Sequence, residues 1–217
     1  MTLGIYGTGG AGREIYMIFD VAPHMYDKWD EIVFIDDINE VKEVYGCKVY
    51  TFNELKKKFS VDDIQIIIAV GEPKSKKILY EKVKEAGYKL ATIISPLALV
   101  SRDAIIKEGV LINENVSVSA GAVIEENVLV NGKTIIGHDV HIEPHCQISS
   151  FSIIGGKTNV GEETFIGMSS CIKDHIIIGE KCVISMGAVV MKNVNPNRVV
   201  MGNPAREIAE NTGYIFK

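Results

Sequence analysis

From residue 100 to residue 190 every sixth residue is valine or isoleucine. The register runs through Val100, Ile106, Ile112, Val118, Ile124, Val130, Ile136, Ile142, Ile148, Ile154, Val160, Ile166, Ile172, Ile178, Ile184 and Val190 without a break. A helix would smear positions six apart around its circumference, and a plain strand alternates with a period of two. A coil that turns a corner after each short strand satisfies the pattern, with a β-branched side chain pointing inward from every side. Four residues further on stands a small or β-branched residue, as at Ala122, Thr134, Cys146, Ser152, Thr158, Thr164, Ser170, Cys182 and Ala188, which implies a second inward row. Three such sides make a turn of about eighteen residues, so the register predicts a little over five turns of parallel β-solenoid with no inserted loop.

The first ninety-odd residues read differently. LGIY is a strand, GTGGAG a loop and GREIYMIFDVA a helix; EIVFID is a second strand and FNELKKKF a short helix. DIQIIIAV is a third strand, followed by the helix KSKKILYEKVKEAG and a fourth strand, KLATII. Strands alternating with helices predict a parallel sheet with helical crossovers. The expected fold is therefore an α/β Rossmann-like domain over residues 1–95 and a parallel β-helix over residues 96–217, with the boundary near SPLALVS.

Composition narrows the classes of partner. The net charge is −5 and the lysines are scattered, as in ELKKKF, so no extended basic face offers itself to nucleic acid. No run approaches the roughly 20 apolar residues of a membrane span, and MTLGIYGTGG lacks the features of a signal peptide, which makes the cytoplasm the expected location. The cysteines Cys47, Cys146, Cys171 and Cys182 show no CxxC spacing and are read as reduced packing residues.

Gly7, Gly9 and Gly12 fit G-x-G-x-x-G between a predicted strand and helix, and Asp36 and Asp37 end the second strand. Such a loop gives close backbone approach and a helix N-terminus to a diphosphate, whatever the diphosphate carries. A nicotinamide dinucleotide is one reading. Against it, the domain is short, with four predicted strands, and lacks a second mononucleotide-binding half.

Residues 99 to about 208 resemble the hexapeptide-repeat acyltransferases, and VVMGNPAREI resembles their closing segment. The resemblance implies a left-handed parallel β-helix, assembled as a homotrimer with acyl-transfer sites between neighbouring coils. With the small Rossmann-like domain ahead of the coil, nearly the whole chain resembles the nucleotide-sugar acetyltransferases of the PglD and NeuD type. In PglD-like members the N-terminal domain holds the UDP part of a UDP-4-amino sugar, and by position this role falls on Gly9, Gly10, Ala11, Asp36, Asp37 and Gly71. Many relatives have a histidine in the loop, as in GxGGHG, where this chain has GGAGRE, so Arg13 and Glu14 are expected to alter nucleotide or sugar preference.

The segment IIGHDVHIEPHC holds His138, His141 and His145. They stand at different phases of the six-residue register, which argues against a shared metal ion, and no metal is expected. His141 and His145 are expected to face solvent or a subunit contact. His138 is followed by Asp139, and the pair resembles the family's H-[DE] dipeptide, in which the histidine is the general base and the acid raises its basicity. An amine or hydroxyl attacking a thioester must lose a proton, and imidazole accepts one near neutrality. Nine residues on, where many relatives place a second histidine against acetyl-CoA, this chain has Gln147, whose amide can still donate a hydrogen bond. The other family contacts to acetyl-CoA fall on Gly167, Met168, Met186 and Gly187. The expected activity is acetyl-CoA-dependent N-acetylation of a nucleotide-linked amino sugar in surface glycan synthesis. The alternatives are O-acetylation of a sialic-acid-like hydroxyl and a non-catalytic sugar-nucleotide-binding or assembly module.

Overall fold

The computed structural model describes residues 1–22 and 28–213. The N-terminal domain runs β1 (Thr2–Tyr6), α1 (Gly10–Val21), β2 (Glu31–Ile35), β3 (Glu43–Val44), β4 (Cys47–Tyr50), α2 (Phe52–Lys58), β5 (Ile64–Ile68), α3 (Pro73–Glu85) and β6 (Lys89–Leu90). The sheet order is β3-β4-β2-β1-β5-β6, parallel throughout except for the antiparallel pair β3–β4. That hairpin is absent from the four-strand expectation. Its turn is Tyr45–Gly46, both at positive φ (51° and 78°), the backbone that tight hairpins require and that flanking apolar runs do not announce. Both sheet faces are apolar, as buried parallel strands demand. One face packs Leu3, Ile5 and Ile67 against Ile15, Ile18 and Phe19 of α1. The other packs Tyr6, Ile35 and Ile66 against Leu55 of α2 and Val83 of α3.

The segment read as one strand, KLATII, divides. Lys89–Leu90 completes the first sheet, whereas Ile93–Ile94 pairs with Leu111–Ile112 and is the first rung of the coil. From there, two-residue parallel rungs stack in three sheets. The first sheet holds 93–94, 111–112, 129–130, 147–148, 165–166 and 183–184; the second begins at 99–100 and the third at 105–106. Equivalent residues lie eighteen apart, as in Leu129↔Gln147. Arg198–Met201 and the antiparallel Arg206–Glu210 close the first sheet.

Both inward rows are present. The Val/Ile row is buried except Val100 and Ile106 at the open end, which are partly buried. All nine small residues of the second row are at 0 % exposure. Their hydroxyls are satisfied: Thr134, Ser152, Thr158 and Thr164 each donate to a carbonyl fifteen residues further on, at 3.0–3.1 Å. That explains why threonine and serine recur in a buried row. At the corners, the third residue after the inward one adopts left-handed backbone, from Asn115 (φ 55°) through Asp139 (φ 55°) and His145 (φ 65°) to Lys181 (φ 53°). The ladders above and below fix this conformation even for residues that disfavour it.

The N-terminal domain sits on the outer face of the first sheet. Leu111 and Leu129 point out from that face into the core beneath α1. Helix α3 lies along the corner between the third and first sheets, with Lys84 bonded to Glu108 and Lys77 to Glu162 and Glu163. Among the described residues, no helix is long and apolar enough to cross a membrane.

Candidate active site

The corner between the second and third sheets is the edge of the coil opposite the N-terminal domain, and it carries His138 and Asp139. The His138 Nδ1 and Asp139 Oδ2 are 2.9 Å apart, with both side chains more than half exposed. Backbone bonds on either side hold the pair in place: Asp139 N–H donates to Ala120 O, and Lys157 N–H to His138 O. With Nδ1 committed to the carboxylate, the imidazole presents Nε2 as its free acceptor. Two glycines that sequence reasoning did not single out make room for this arrangement. A Cβ on Gly156, one turn beyond His138, would stand 2.5 Å from His138 Nε2. A Cβ on Gly121, one turn before Asp139, would stand 2.5 Å from Asp139 Oδ1. The signal was available as glycines eighteen residues from each member of the pair. Two turns beyond the pair, His175 Nδ1 lies 2.8 Å from Asp174 Oδ2 on the same corner, a second exposed imidazole–carboxylate contact.

The other two histidines of the segment have separate surroundings. His141 lies on the third sheet with Nε2 3.1 Å from Glu125 Oε1. His145 differs from the expectation of a solvent-facing or subunit-contact residue: it is 6 % exposed, edge-on to Tyr80 of α3 at 4.9 Å, with Nδ1 3.0 Å from Asn127 Nδ2. Burial pushes its pKa down to about 4, so it is neutral in the fold. Beside it Lys76 is buried, donates to Cys146 O at 3.1 Å, and is pushed down to about 7 by desolvation. Burial also pushes the Cys146 thiol up to about 12, which leaves it a packing group, as its register position implied.

Gly167, Met168, Met186 and Gly187 stack on consecutive turns at the corner between the first and second sheets. Gly187 N–H donates to Met168 O at 2.8 Å, and a Cβ on Gly167 would stand 2.6 Å from Met186 N. Both methionine side chains are exposed there. Gln147 lies elsewhere, on the outer face of the first sheet and 3 % exposed. Its Oε1 is 3.9 Å from where a Gly71 Cβ would stand.

Gly9, Gly10, Ala11, Asp36, Asp37 and Gly71 come together around one cavity of about 330 Å³ at the carboxyl ends of β1, β2 and β5. The glycines divide by task. A Cβ on Gly12 would stand 2.0 Å from Gly7 O, so Gly12 lets α1 approach β1. A Cβ on Gly9 or Gly10 would meet nothing within 4 Å, which leaves their backbone open to a ligand. The N-cap of α1 is Gly9, which has no side chain to cap it, and the N–H groups of the first turn suit an anion. The two aspartates are engaged by their own chain. Asp36 accepts from Thr8 N–H and hydroxyl, from Ile38 and Asn39 N–H, and from the Asn39 side chain. Burial alone would raise its pKa, but the Asn39 and Thr8 bonds outweigh that and hold the carboxyl well below the usual range. Asp37 accepts from Tyr6, Lys82 and Phe52 N–H. Asp36 therefore ties the glycine loop to the end of β2. Arg13 and Glu14 do not line this cavity.

A six-residue β-coil with an exposed imidazole–carboxylate pair between two corner glycines, carried under a glycine-loop α/β domain, defines the class of hexapeptide-repeat acyltransferases. Comparison with known proteins places the chain within that class. Residues 2–83 match the family described as PglD N-terminal domain, and residues 157–192 match the hexapeptide repeat of succinyl-transferase. The acetyltransferase domain of PglB from Neisseria gonorrhoeae FA1090 is 30 % identical, with a TM-score of 0.88, covering 95 % of this chain and 99 % of that one; it has also been solved with acetyl coenzyme A. The chain belongs to the PglD-type nucleotide-sugar acetyltransferases of the hexapeptide-repeat superfamily. The same fold is seen in the perosamine N-acetyltransferase from Caulobacter crescentus, solved with CoA and GDP-perosamine, at 21 % identity, TM-score 0.85 and coverage of 97 % and 98 %. It is seen again in WeeI from Acinetobacter baumannii AYE, at 22 % identity, TM-score 0.88 and coverage of 96 % and 100 %.

Proposed function

We infer that this chain transfers the acetyl group of acetyl-CoA to the amino group of a nucleotide-linked amino sugar, with His138 as general base. The observation that carries the reading is the 2.9 Å contact between His138 Nδ1 and Asp139, which leaves Nε2 free beside a glycine that keeps its approach open. The amine nitrogen attacks the thioester carbonyl carbon, His138 Nε2 takes the amine proton, the C–S bond breaks, and the proton passes to the departing sulfur. Asp139 orients the ring and stabilises the imidazolium. A base of this kind contributes about 10² to 10⁴ in rate.

The nucleotide diphosphate lies on Gly9, Gly10 and Ala11 at the N-terminus of α1, with Asp36, Asp37 and Gly71 shaping the pocket. Acetyl-CoA runs along the corner of Gly167, Met168, Met186 and Gly187, while Gln147, buried on the outer face of the first sheet beside Gly71, is not open to it. Within one chain these groups stand apart, since His138 is on the edge opposite the N-terminal domain. The site is therefore completed between copies, in a homotrimer that brings the His138 corner of one coil to the nucleotide domain of the next. The outer face of the second sheet, with Leu99, Ile135 and Ile153 at 73, 46 and 43 % exposure, supplies an apolar surface for that contact. A cytoplasmic location and a place in surface polysaccharide synthesis accord with use of acetyl-CoA and an activated sugar.

Thiol release from acetyl-CoA tests the reading, measured across UDP-, GDP- and dTDP-linked 4-amino sugars and free sialic acid, for wild type and His138→Ala. Turnover with an amino-sugar nucleotide that collapses in His138→Ala is the expected result. Turnover on sialic acid alone would move the activity to O-acetylation, and full activity in His138→Ala would remove the base assignment.

A further inference from the structure

A second cavity, of about 400 Å³, lies between α1 and the corner that joins the first and second sheets. Its polar lining includes Glu14 of α1 and Asn113, Glu114 and Asn131 of the coil, with Met17 and Leu97 on the apolar side. Among the described residues, no lysine or arginine lines it. Asn113 is 4 % exposed; its Nδ2 donates to Asn131 Oδ1 at 3.2 Å, while its own Oδ1 is buried with no hydrogen-bond partner among the described residues. A buried carbonyl oxygen left without a donor forfeits the hydrogen bonds it would make in water, so the fold maintains here an acceptor that a ligand can satisfy.

The chemistry of the lining selects the ligand. Two carboxylates and a free amide oxygen, without a cation, repel phosphate and favour a ligand rich in N–H and O–H donors, above all a cationic amine. The apolar side fits a ring face. The position selects it further. Gly10 lines the nucleotide cavity and Glu14 lines this one, and residues four apart share a helix face about 6 Å apart along the axis. A sugar joined to a diphosphate at the glycine loop spans that separation. The corner is also the one on which Met168 and Met186 lie further along the coil.

We propose that this second cavity seats the amino-sugar ring of the acceptor, with Glu14 and Asn113 as the specificity-determining residues that read its amino group. The proposal rests on the nucleotide-sugar reading given above and gives Glu14 a role: it stands in a loop-helix segment where this chain departs from GxGGHG, and it lines this cavity rather than that of the nucleotide.

Binding by calorimetry, paired with initial-rate kinetics, tests it with UDP, GDP and dTDP and their 4-amino-sugar conjugates, on wild type, Glu14→Gln and Asn113→Leu. Glu14 is exposed, so Glu14→Gln is expected to fold normally; thermal melting checks Asn113→Leu. The expected result is that the free nucleotide diphosphate binds all three proteins alike, while the conjugate binds Glu14→Gln about tenfold more weakly. The KM for that conjugate should rise by a similar factor, with the KM for acetyl-CoA unchanged. Equal binding of conjugate to wild type and Glu14→Gln overturns the proposal while leaving the acetyltransferase reading intact. A wild type that binds free nucleotide but gains nothing from any attached amino sugar overturns both.

Discussion

The two halves of this chain bury similar side chains under different rules. In the N-terminal domain each apolar residue has its own neighbours: Phe19 meets Trp29 edge-on and Tyr6 stacks on Phe52, and neither contact recurs elsewhere in the sheet. In the coil every inward residue has nearly the same surroundings as the one eighteen positions away. Repetition frees the corners, whose residues are held by the ladder rather than by their own propensities, and the His138–Asp139 pair is placed on one of them. The α/β domain instead spends its polar residues on its own loops, as Asp36 does on Thr8 and Asn39.

Four measurements would break or sharpen this contrast. The largest expected effect belongs to a corner. His138→Ala should lower kcat by about 10² to 10⁴ while leaving the melting temperature unchanged, because an exposed corner side chain contributes little to the stack. A loss of stability equal to that of a core substitution would show that the corners are not independent of the ladder.

Next come the cores. Ile148→Ala should destabilise by about 2–5 kcal/mol, and Leu55→Ala by a similar amount. Hydrogen exchange should locate the first loss in the rungs adjacent to residue 148 and the second across the whole α/β sheet, as nearest-neighbour stacking predicts. Uniform loss of protection throughout the chain in both variants would contradict the contrast.

The seam between the halves should respond to pH. His145 is neutral in the fold, with a pKa lowered from 6.5 to about 4, so the unfolded chain binds more protons between those values. Its contribution is fully present above pH 6.5 and is lost as pH falls toward 4, a change of about 3 kcal/mol. Glu162, Lys76 and Lys77 are the charged groups acting on it. Denaturant melts at a series of pH values should show this slope in wild type and a shallower one in His145→Gln. An equal slope in both would assign the pH dependence elsewhere.

The smallest effect is steric. Gly156→Ala should displace the imidazole and lower kcat by about tenfold, with the KM for acetyl-CoA less affected, since small misplacements of a base are costly. An unchanged kcat would mean that His138 acts from a rotamer that avoids Gly156.

Much of this was legible in the residues. The six-residue register announced both inward rows, and the strand–helix alternation announced the sheet. The hairpin at Tyr45–Gly46 was not legible, because it depends on backbone signs that apolar patterning does not encode. Nor was the burial of His145. Its register position marks only a corner, and whether a corner is covered depends on α3 arriving there from seventy residues earlier, as Lys76 does at Cys146. Glycines eighteen residues from His138 and Asp139 could have been found, had the turn length been applied to the site as well as to the core.

The sequence alone therefore determined the coil, its period, the α/β domain and the His–Asp dipeptide, because each depends on local periodicity or on adjacent residues. Only the tertiary structure decided which corner faces which partner: that α3 covers His145, that the first sheet bears the N-terminal domain, and that His138 lies on the opposite edge. Those facts depend on how two independently patterned halves dock, and no repeat within either half carries that information.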